Sequence, residues 1–280
     1  MYIEGFISNQ DTTASTTIKL ANNCMAHLFD EIRYELNGVE IDRTKYLGIA
    51  TDMKNYASLY EFESKNLRNA GWCLNDADNK ILNTGHFNFC LPLKNLLGFA
   101  EDFDKLIVNS KHELILIRSK DDNKIMSSTT PTDRLVLKLL NITWNVPHVQ
   151  LSDDYRLKML KTITSRHPLN ISFKSWDVYY NPSLPQTTSY LWNVKLAGEN
   201  ERPRYMLLCL LNNTTNKLIH SDLTDVKVHL NSDVYPYDDL NIRFDHNRYA
   251  LLYDMKSFSK ATMDVIHNRY YHQSSLLIHL

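Results

Sequence analysis

The sequence predicts an all-β chain, built from two antiparallel β-sandwiches with one helix between them. Most apolar residues fall in short runs that alternate with polar residues, which is the period of a half-buried strand. Turn residues rather than helices separate these runs, and this favours antiparallel sheets over βαβ units. Only residues 151–163, near the middle of the chain, combine helical spacing with clear helix-start signals.

The first half contains seven predicted strands. They lie at residues 2–7, 25–36, 39–42, 87–91, 106–109, 112–119 and 135–149. Residues 47–60 are ambiguous and are compatible with a short helix packed across the end of a sheet. Residues 65–80 and 121–133 are polar and are predicted to be exposed loops.

The clearest turn signal is Asn37-Gly38. A type I′ turn needs positive φ at both central residues, and Asn followed by Gly accepts this at the lowest cost. Glycine is otherwise scarce, at 7 in 280 residues, so Asn and Asp must supply much of the turn chemistry. We therefore expect a two-residue hairpin at this point.

Residues 87–99, FNFCLPLKNLLGF, begin as a strand and become unusually apolar after Pro92. The segment is too short to span a membrane and too apolar for an ordinary surface turn. We expect its apolar side chains to be buried and Lys94 to face solvent. These apolar residues are Leu93, Leu96, Leu97 and Phe99.

The helix at 151–163 has Ser152 at the N-cap position and Asp153 and Asp154 in its first turn, where the helix dipole favours negative charge. Its apolar residues fall at helical spacing, and we expect them to form one buried stripe. They are Tyr155, Leu157, Met159, Leu160 and Ile163.

Strands resume after this helix. They are predicted at residues 169–178, 190–196, 205–211, 226–230, 240–244 and 249–255, followed by an apolar run at 276–280. About eight strands per half suit a jelly roll. We expect one jelly roll at 1–150, a second at 151–280, and a division near 147–152.

Composition excludes several classes of protein. The net charge of −1 gives no basic excess for general nucleic-acid binding. The four cysteines form no CxxC pair, so a zinc knuckle and a disulfide framework are not expected, and Cys90 and Cys209 are predicted to be buried thiols. No secretory signal or membrane helix is predicted, so the Asn-x-Ser/Thr sequons are interpreted as chance matches.

No constellation predicts chemistry. HELILI begins like a zinc-protease motif, but position 116 is leucine, so the segment is interpreted as a strand. Residues 234–249 are rich in Asp and Tyr, and they suit a polar loop better than a calcium or carbohydrate site. The histidines His267, His272 and His279 lack metal-like spacing. We therefore predict no enzyme activity and no catalytic, cofactor-binding or metal-binding residues.

Four segments resemble viral double jelly-roll major capsid proteins, in particular those of polinton/Maverick and adintovirus-type elements, with copies in invertebrate genomes. The segments are LFDEIRYELNGVEIDR at 28–43, the stretch 87–119, ERPRYMLLCLLN at 201–212, and residues 228–255. The resemblance covers about 2–255. It implies two fused jelly rolls, self-association as a homotrimer, contacts with capsid neighbours, no membrane partner, and a place in a virion or inside the host cell.

The resemblance also has departures. The N-terminal arm that ties capsomers together in that family is not expected here, and residues after Met255 leave the pattern. Whether the second jelly roll is complete stays open, and a truncated or host-captured copy fits these departures. The alternatives are a β-sandwich that binds a glycan or other ligand through residues 234–249 and, less supported, a cupin-like enzyme.

Overall fold

The computed structural model of the chain describes residues 1–9, 18–73, 81–82, 84–128, 134–165, 170–195, 206–212, 218–219, 222–252 and 254–255. The apolar run predicted at 276–280 and the three C-terminal histidines lie outside these residues. Every strand pair in the described part is antiparallel.

Strands and short helices alternate in the first half, and few strands follow it. The strands are β1 (Tyr2–Asn9), β2 (Ile18–Leu20), β3 (Phe29–Leu36), β4 (Val39–Lys45), β5 (Ile81–Leu82), β6 (His86–Cys90), β7 (His112–Arg118), β8 (Met126–Ser128), β9 (Leu135–Thr143), β10 (Leu210–Leu211), β11 (Leu218–Ile219), β12 (Val228–Leu230) and β13 (Asp233–Tyr235). The helices are α1 (Cys24–His27), α2 (Leu47–Ser58), α3 (Glu61–Asn66), α4 (Gly98–Asp102) and α5 (Asp153–Thr164).

One layer of the first half is the sheet β4-β3-β7. Its β3–β4 hairpin closes with Leu36 opposite Val39. Both turn residues have positive φ, 52° at Asn37 and 77° at Gly38. The predicted two-residue hairpin is therefore confirmed.

The other layer is built around β1 and β2, which follow one another in the chain. β1 lies between β6 and β9, and β2 lies between β5 and β8, so the two small sheets repeat one strand order. In each of the three positions the strands of the two sheets are consecutive in the chain: β5 and β6, β1 and β2, β8 and β9. The two sheets therefore resemble one three-stranded sheet with a break in every strand. An antiparallel, strand-rich first half is thus confirmed.

The core lies between these layers. It takes alternate residues from both, including Ile3 and Ile7 of β1, Ile32 of β3 and Phe89 of β6. Alternation of buried and exposed residues is what a two-layer sandwich requires, because successive side chains point to opposite faces of a sheet. The apolar residues of these strands therefore recur at every second position, and this alternation brings them into the core.

Several local predictions for the first half are wrong. Residues 25–36 begin with the short helix α1 rather than with strand, and 106–109 contain no strand. Residues 121–133 hold a 3₁₀ turn and β8, and β9 ends at Thr143. The helical alternative for 47–60 is confirmed by α2.

The segment 65–80 is not the exposed loop that was predicted, as far as it is described. It contains the end of α3, a 3₁₀ turn at Leu67–Ala70 and the fully buried Trp72, whose ring meets that of Tyr56 edge-on at 4.9 Å. The segment has too few apolar residues to show a helical or strand period, so the sequence pattern did not predict the burial of Trp72.

The second half departs further from the strand predictions. Residues 170–178 and 190–195 form no strand, 240–244 contribute only a bridge between Arg243 and Arg248, and 250–252 are helical. A strand exists only where a neighbour accepts its backbone hydrogen bonds, and the alternating pattern does not supply that neighbour. A small apolar cluster forms around Leu240 and Ile242.

The predicted central helix is confirmed as α5, with Ser152 at its N-cap position but without a side-chain capping bond. The buried stripe is wrong. Four of its apolar side chains are 47–64% exposed, and Met159 is only half-buried. Across the described residues, no helix has the length and apolar character needed to cross a membrane.

Candidate assembly surface

The apolar segment after Pro92 closes one end of the first sandwich. Leu96, Leu97 and Phe99 are buried and Lys94 is exposed, as predicted, whereas Leu93 is only half-buried. The chain turns through a 3₁₀ turn at Leu93–Asn95 and enters α4. We call residues 93–99 the apolar turn.

Residues 173–176 of the second half cover this turn. The ring of Phe173 stands perpendicular to that of Phe99 at 5.3 Å, and the Lys174 N–H donates a 2.8 Å hydrogen bond to Asp102 Oδ2. The carbonyl oxygen of Lys174 lies only 1.6 Å from where a Cβ on Gly98 would be. Glycine is therefore required for this close approach.

A buried lysine joins the same contact. Lys54 Nζ donates to Glu101 Oε2 at 2.7 Å and to the Lys94 carbonyl at 3.1 Å, and it lies 5.9 Å from the centre of the Trp176 ring. A buried charge is tolerated only when it is paired and hydrogen-bonded, and Lys54 meets both conditions. The two halves of the chain are thus held by specific polar contacts as well as by apolar ones.

The side chain of Asp42, on β4, holds the start of α4. Its Oδ2 accepts a 2.8 Å hydrogen bond from the Phe99 N–H. Burial raises the pKa of this carboxyl group, the nearby Asp177 carboxylate raises it further, and backbone hydrogen bonds partly oppose the shift. This carboxyl group has a structural role at the junction.

The zinc-protease-like segment forms β7, which confirms the strand interpretation. His112 Nδ1 lies 2.7 Å from the Tyr34 hydroxyl oxygen, and Glu113 pairs with Lys111 at 2.7 Å. These partners place His112 in the edge of the sandwich core. Within the described ranges, no three His, Cys, Asp or Glu side chains are grouped so that they could hold a metal ion.

The acidic side chains of the Asp- and Tyr-rich segment 234–249 lie on the surface, whereas Leu240 and Ile242 of the same segment are buried. The side chains of Asp238, Asp239 and Asp245 are exposed, and Asp239 pairs with Lys227. Asp245 pairs with its neighbour His246 at 2.7 Å. The loop therefore presents its acids separately, as solvated or locally paired groups.

The cysteine prediction is partly wrong, because Cys90 and Cys209 are half-buried rather than buried. Burial still raises the pKa of Cys209 to about 11, with a further contribution from the Asp52 carboxylate. A thiol with such a pKa stays protonated at neutral pH and is a poor nucleophile.

The feature that sequence reasoning missed is a long run of exposed apolar side chains. It starts on β9, continues through α5 and extends into the second half. Its members include Leu140, Ile142, Val149, Tyr155, Leu157, Leu160, Ile163, Ile171, Leu184, Leu191 and Val194, with Leu191 at 73% exposure. We call these side chains the exposed apolar run.

Such a run is unusual for a monomer. Single exposed apolar residues are ordinary, but this many large apolar side chains in one stretch of chain leave a large apolar area in water, which a partner could cover. In the described part of the chain, β7 and β9 also pair on one side only, so each leaves an unpaired edge. The only sequence signal was apolar spacing, which also predicts burial within one chain.

Comparison with known proteins adds the family. No curated protein and no solved structure gives a significant match to this chain. The model of the double jelly roll-like domain matches residues 18–275, which is most of the chain. That match agrees with the antiparallel sheets and short helices, and it confirms the predicted fold class. The chain belongs to the double jelly roll-like domain family.

Proposed function

We propose that this protein is a capsid-like structural subunit that self-associates, with a homotrimer as its basic assembly. Its family is consistent with such a role. The more specific part of the proposal is homology to the major capsid proteins of polinton/Maverick and adintovirus-type elements. It rests on the resemblance of residues 28–43, 87–119, 201–212 and 228–255.

The exposed apolar run is the observation that carries the proposal. Burial of apolar area contributes about 25 cal/mol per Å², and large side chains such as Leu140 and Leu191 leave most of that area in water in a single chain. A neighbouring copy that covers them would recover this free energy. The unpaired edges of β7 and β9 favour the same conclusion, because an unpaired edge can accept another strand.

The junction supports a scaffold role. A capsid subunit must hold its two jelly rolls in a fixed relation, since both contribute to the shape of the capsomer. The Phe99–Phe173 contact, the Asp102–Lys174 hydrogen bond and the Lys54 network join the two halves in this way. No catalytic or metal-dependent step belongs to the proposal, and the expected location is a virion or the interior of the host cell.

The test is the mass of the purified chain in solution, measured over a concentration series and followed by negative-stain imaging. We expect a concentration-dependent oligomer with a trimer among its species. Leu140→Asp and Leu191→Asp should shift the distribution towards monomer, whereas Lys94→Asp, at an exposed site outside the run, should not.

A monodisperse monomer at high micromolar concentration would contradict the proposal and leave the fold assignment intact. Glycan-array binding by that monomer would favour the ligand-binding alternative instead. Stoichiometric metal found by elemental analysis would favour an enzyme.

A further inference from the structure

We infer that α5 is a two-fold contact, in which the helix of one copy packs antiparallel against α5 of a second copy. The inference rests on the proposed self-association and names one of its surfaces. It concerns Asp153–Thr164, whose side chains are all exposed except Met159.

The half-buried Met159 shows how the helix is oriented. Because it is the residue of α5 with the most cover, the side of the helix that carries it faces the body of the protein. Successive residues are 100° apart around a helix. Leu157 and Lys161 therefore both lie about 160° from Met159, on either side of the direction that faces away from the body. Leu160 lies about 100° from Met159 on the side of Leu157, and Asp154 lies about 140° from Met159 on the side of Lys161.

One flank of this outward side is apolar. Leu157 and Leu160 are 58% and 49% exposed. Leucines three residues apart on one face of a helix form a short ridge that another helix can cover. Both side chains leave apolar area in water when the chain is alone, and a second helix packed on them would remove it from water.

The register follows from the spacing. If two copies of α5 overlap fully and run antiparallel, the two-fold axis passes between Lys158 and Met159. Leu157 then lies opposite Leu160 of the second copy, and Leu160 opposite its Leu157. The four leucines meet at the centre of the contact, so one sequence serves both sides, as a two-fold interface requires.

The charges favour the antiparallel arrangement. Asp153 and Asp154 occupy the first turn, and Lys161 lies in the last turn. Antiparallel packing brings Asp154 beside Lys161 of the second copy, twice by symmetry, and it also opposes the two helix dipoles. Parallel packing would put the two copies of Asp154 on opposite flanks of the contact, so it would form neither Asp154–Lys161 pair, and it would align the two helix dipoles.

The contact is small. Twelve residues span about 18 Å, which is too little for the 1,200 Å² or more that stable interfaces bury. The α5 pair should therefore be weak between isolated chains and stronger between oligomers that present several copies, through effective concentration. Its expected role is to join oligomers pairwise.

The test is a charge exchange, using Asp154→Lys and Lys161→Glu. Both sites are exposed, so the fold should survive, and circular dichroism checks this. Each variant alone places like charges at both symmetric positions. Sedimentation velocity should show pairwise association weakened about tenfold for each. An equimolar mixture restores both opposite-charge contacts and should recover the association of the unchanged protein.

The matched control is Lys124→Glu, a reversal of an exposed charge away from α5, which should leave pairing unchanged. Leu157→Asp should abolish pairing, and no mixture should rescue it. Trimers that pair regardless of the α5 charges, or that never pair, would overturn this inference and leave the proposed function standing. A chain that stays monomeric throughout would overturn both.

Discussion

The apolar turn and α5 have similar sequence patterns, but the structure buries the first and leaves the second exposed. Both place three or more large apolar residues at helix-like spacing, and both were expected to be buried. Leu97 of the turn is 1% exposed, whereas Leu157 of α5 is 58% exposed. The difference lies in what covers them: residues 173–176 lie over the turn, and no described element buries α5.

This contrast separates two kinds of information. Apolar spacing reports that a face favours burial, because water is excluded from it at a gain in free energy. It does not report whether the covering surface belongs to the same chain. In this protein the second half covers the turn and leaves its own helix exposed, as the proposed self-association requires.

The largest expected effect comes from truncating one leucine in each region. Leu97→Ala should lower the free energy of unfolding by roughly 2–5 kcal/mol, because it leaves a cavity in a packed core. The matched change Leu157→Ala should cost less than about 0.5 kcal/mol in dilute protein, since an exposed surface site loses little. Urea titration of both variants provides the comparison.

A loss below about 0.5 kcal/mol for Leu97→Ala would contradict the burial of the apolar turn. A large loss for Leu157→Ala at a concentration where the protein is monomeric would mean that α5 has a cover within its own chain.

Gly98→Ala should disturb the packing of residues 173–176 over the apolar turn. A Cβ at this position would overlap the Lys174 carbonyl, and backbone on both sides leaves no flexible side chain to yield. We expect a loss of roughly 1–3 kcal/mol, as for overpacked sites. Lys94→Ala is the control, since its side chain is exposed and its carbonyl, which accepts from Lys54, is retained.

Hydrogen exchange adds a readout specific to the junction. Gly98→Ala should increase exchange at the Lys174 amide, which donates to Asp102, while leaving β3 protected. Unchanged protection at Lys174 would show that the cover does not depend on this close approach.

The sequence predicted what depends on neighbours along the chain. Asn37-Gly38 sets its own turn, the strand period of β1, β3 and β7 sets which side chains enter the core, and Asp153 and Asp154 mark the start of α5. Each signal acts within a few residues, so it can be read without knowing the tertiary structure.

The sequence could not predict what depends on distant partners. Residues 170–178 alternate like a strand, yet they form no strand, and Phe173 and Lys174 contact Phe99 and Asp102 of α4 instead. Lys54 and Asp42 gave no signal either. A buried charge is recognised only by its partners, and Glu101 and Phe99 are distant in sequence.

The third expected effect tests the Asn37-Gly38 turn, a signal that acts within a few residues. Gly38→Val should destabilise the protein by about 1–2 kcal/mol, because a β-branched residue resists the φ of 77°. A Cβ at this site would meet nothing within 4 Å, so the whole effect is backbone strain. Gly38→Asn is the control, since Asn tolerates positive φ and should recover most of the loss. An unchanged melting temperature in the valine variant would contradict the turn.

The smallest expected effect depends on pH and on Asp42. Burial beneath the covered turn raises the pKa of this carboxyl group, so the folded protein holds its proton to a higher pH than the unfolded chain. Unfolding then releases a proton between the two pKa values. The contribution of Asp42 to stability therefore falls as pH rises from about 3.9 through the folded pKa and is constant above it. Asp42→Asn keeps an oxygen for the Phe99 N–H and removes the ionisation.

We therefore expect Asp42→Asn to match the unchanged protein at low pH and to have the higher melting temperature at pH 7. The exposed change Asp30→Asn serves as the control and should leave the pH profile as it is. The same pair can be compared in the Gly98→Ala background. There the loosened packing of residues 173–176 should admit water to Asp42, so the gain in melting temperature from Asp42→Asn at pH 7 should be smaller. If Asp42→Asn is less stable at pH 7 by the same margin as at pH 4, the ionised carboxylate contributes nothing unfavourable, and the junction is more hydrated than its geometry indicates.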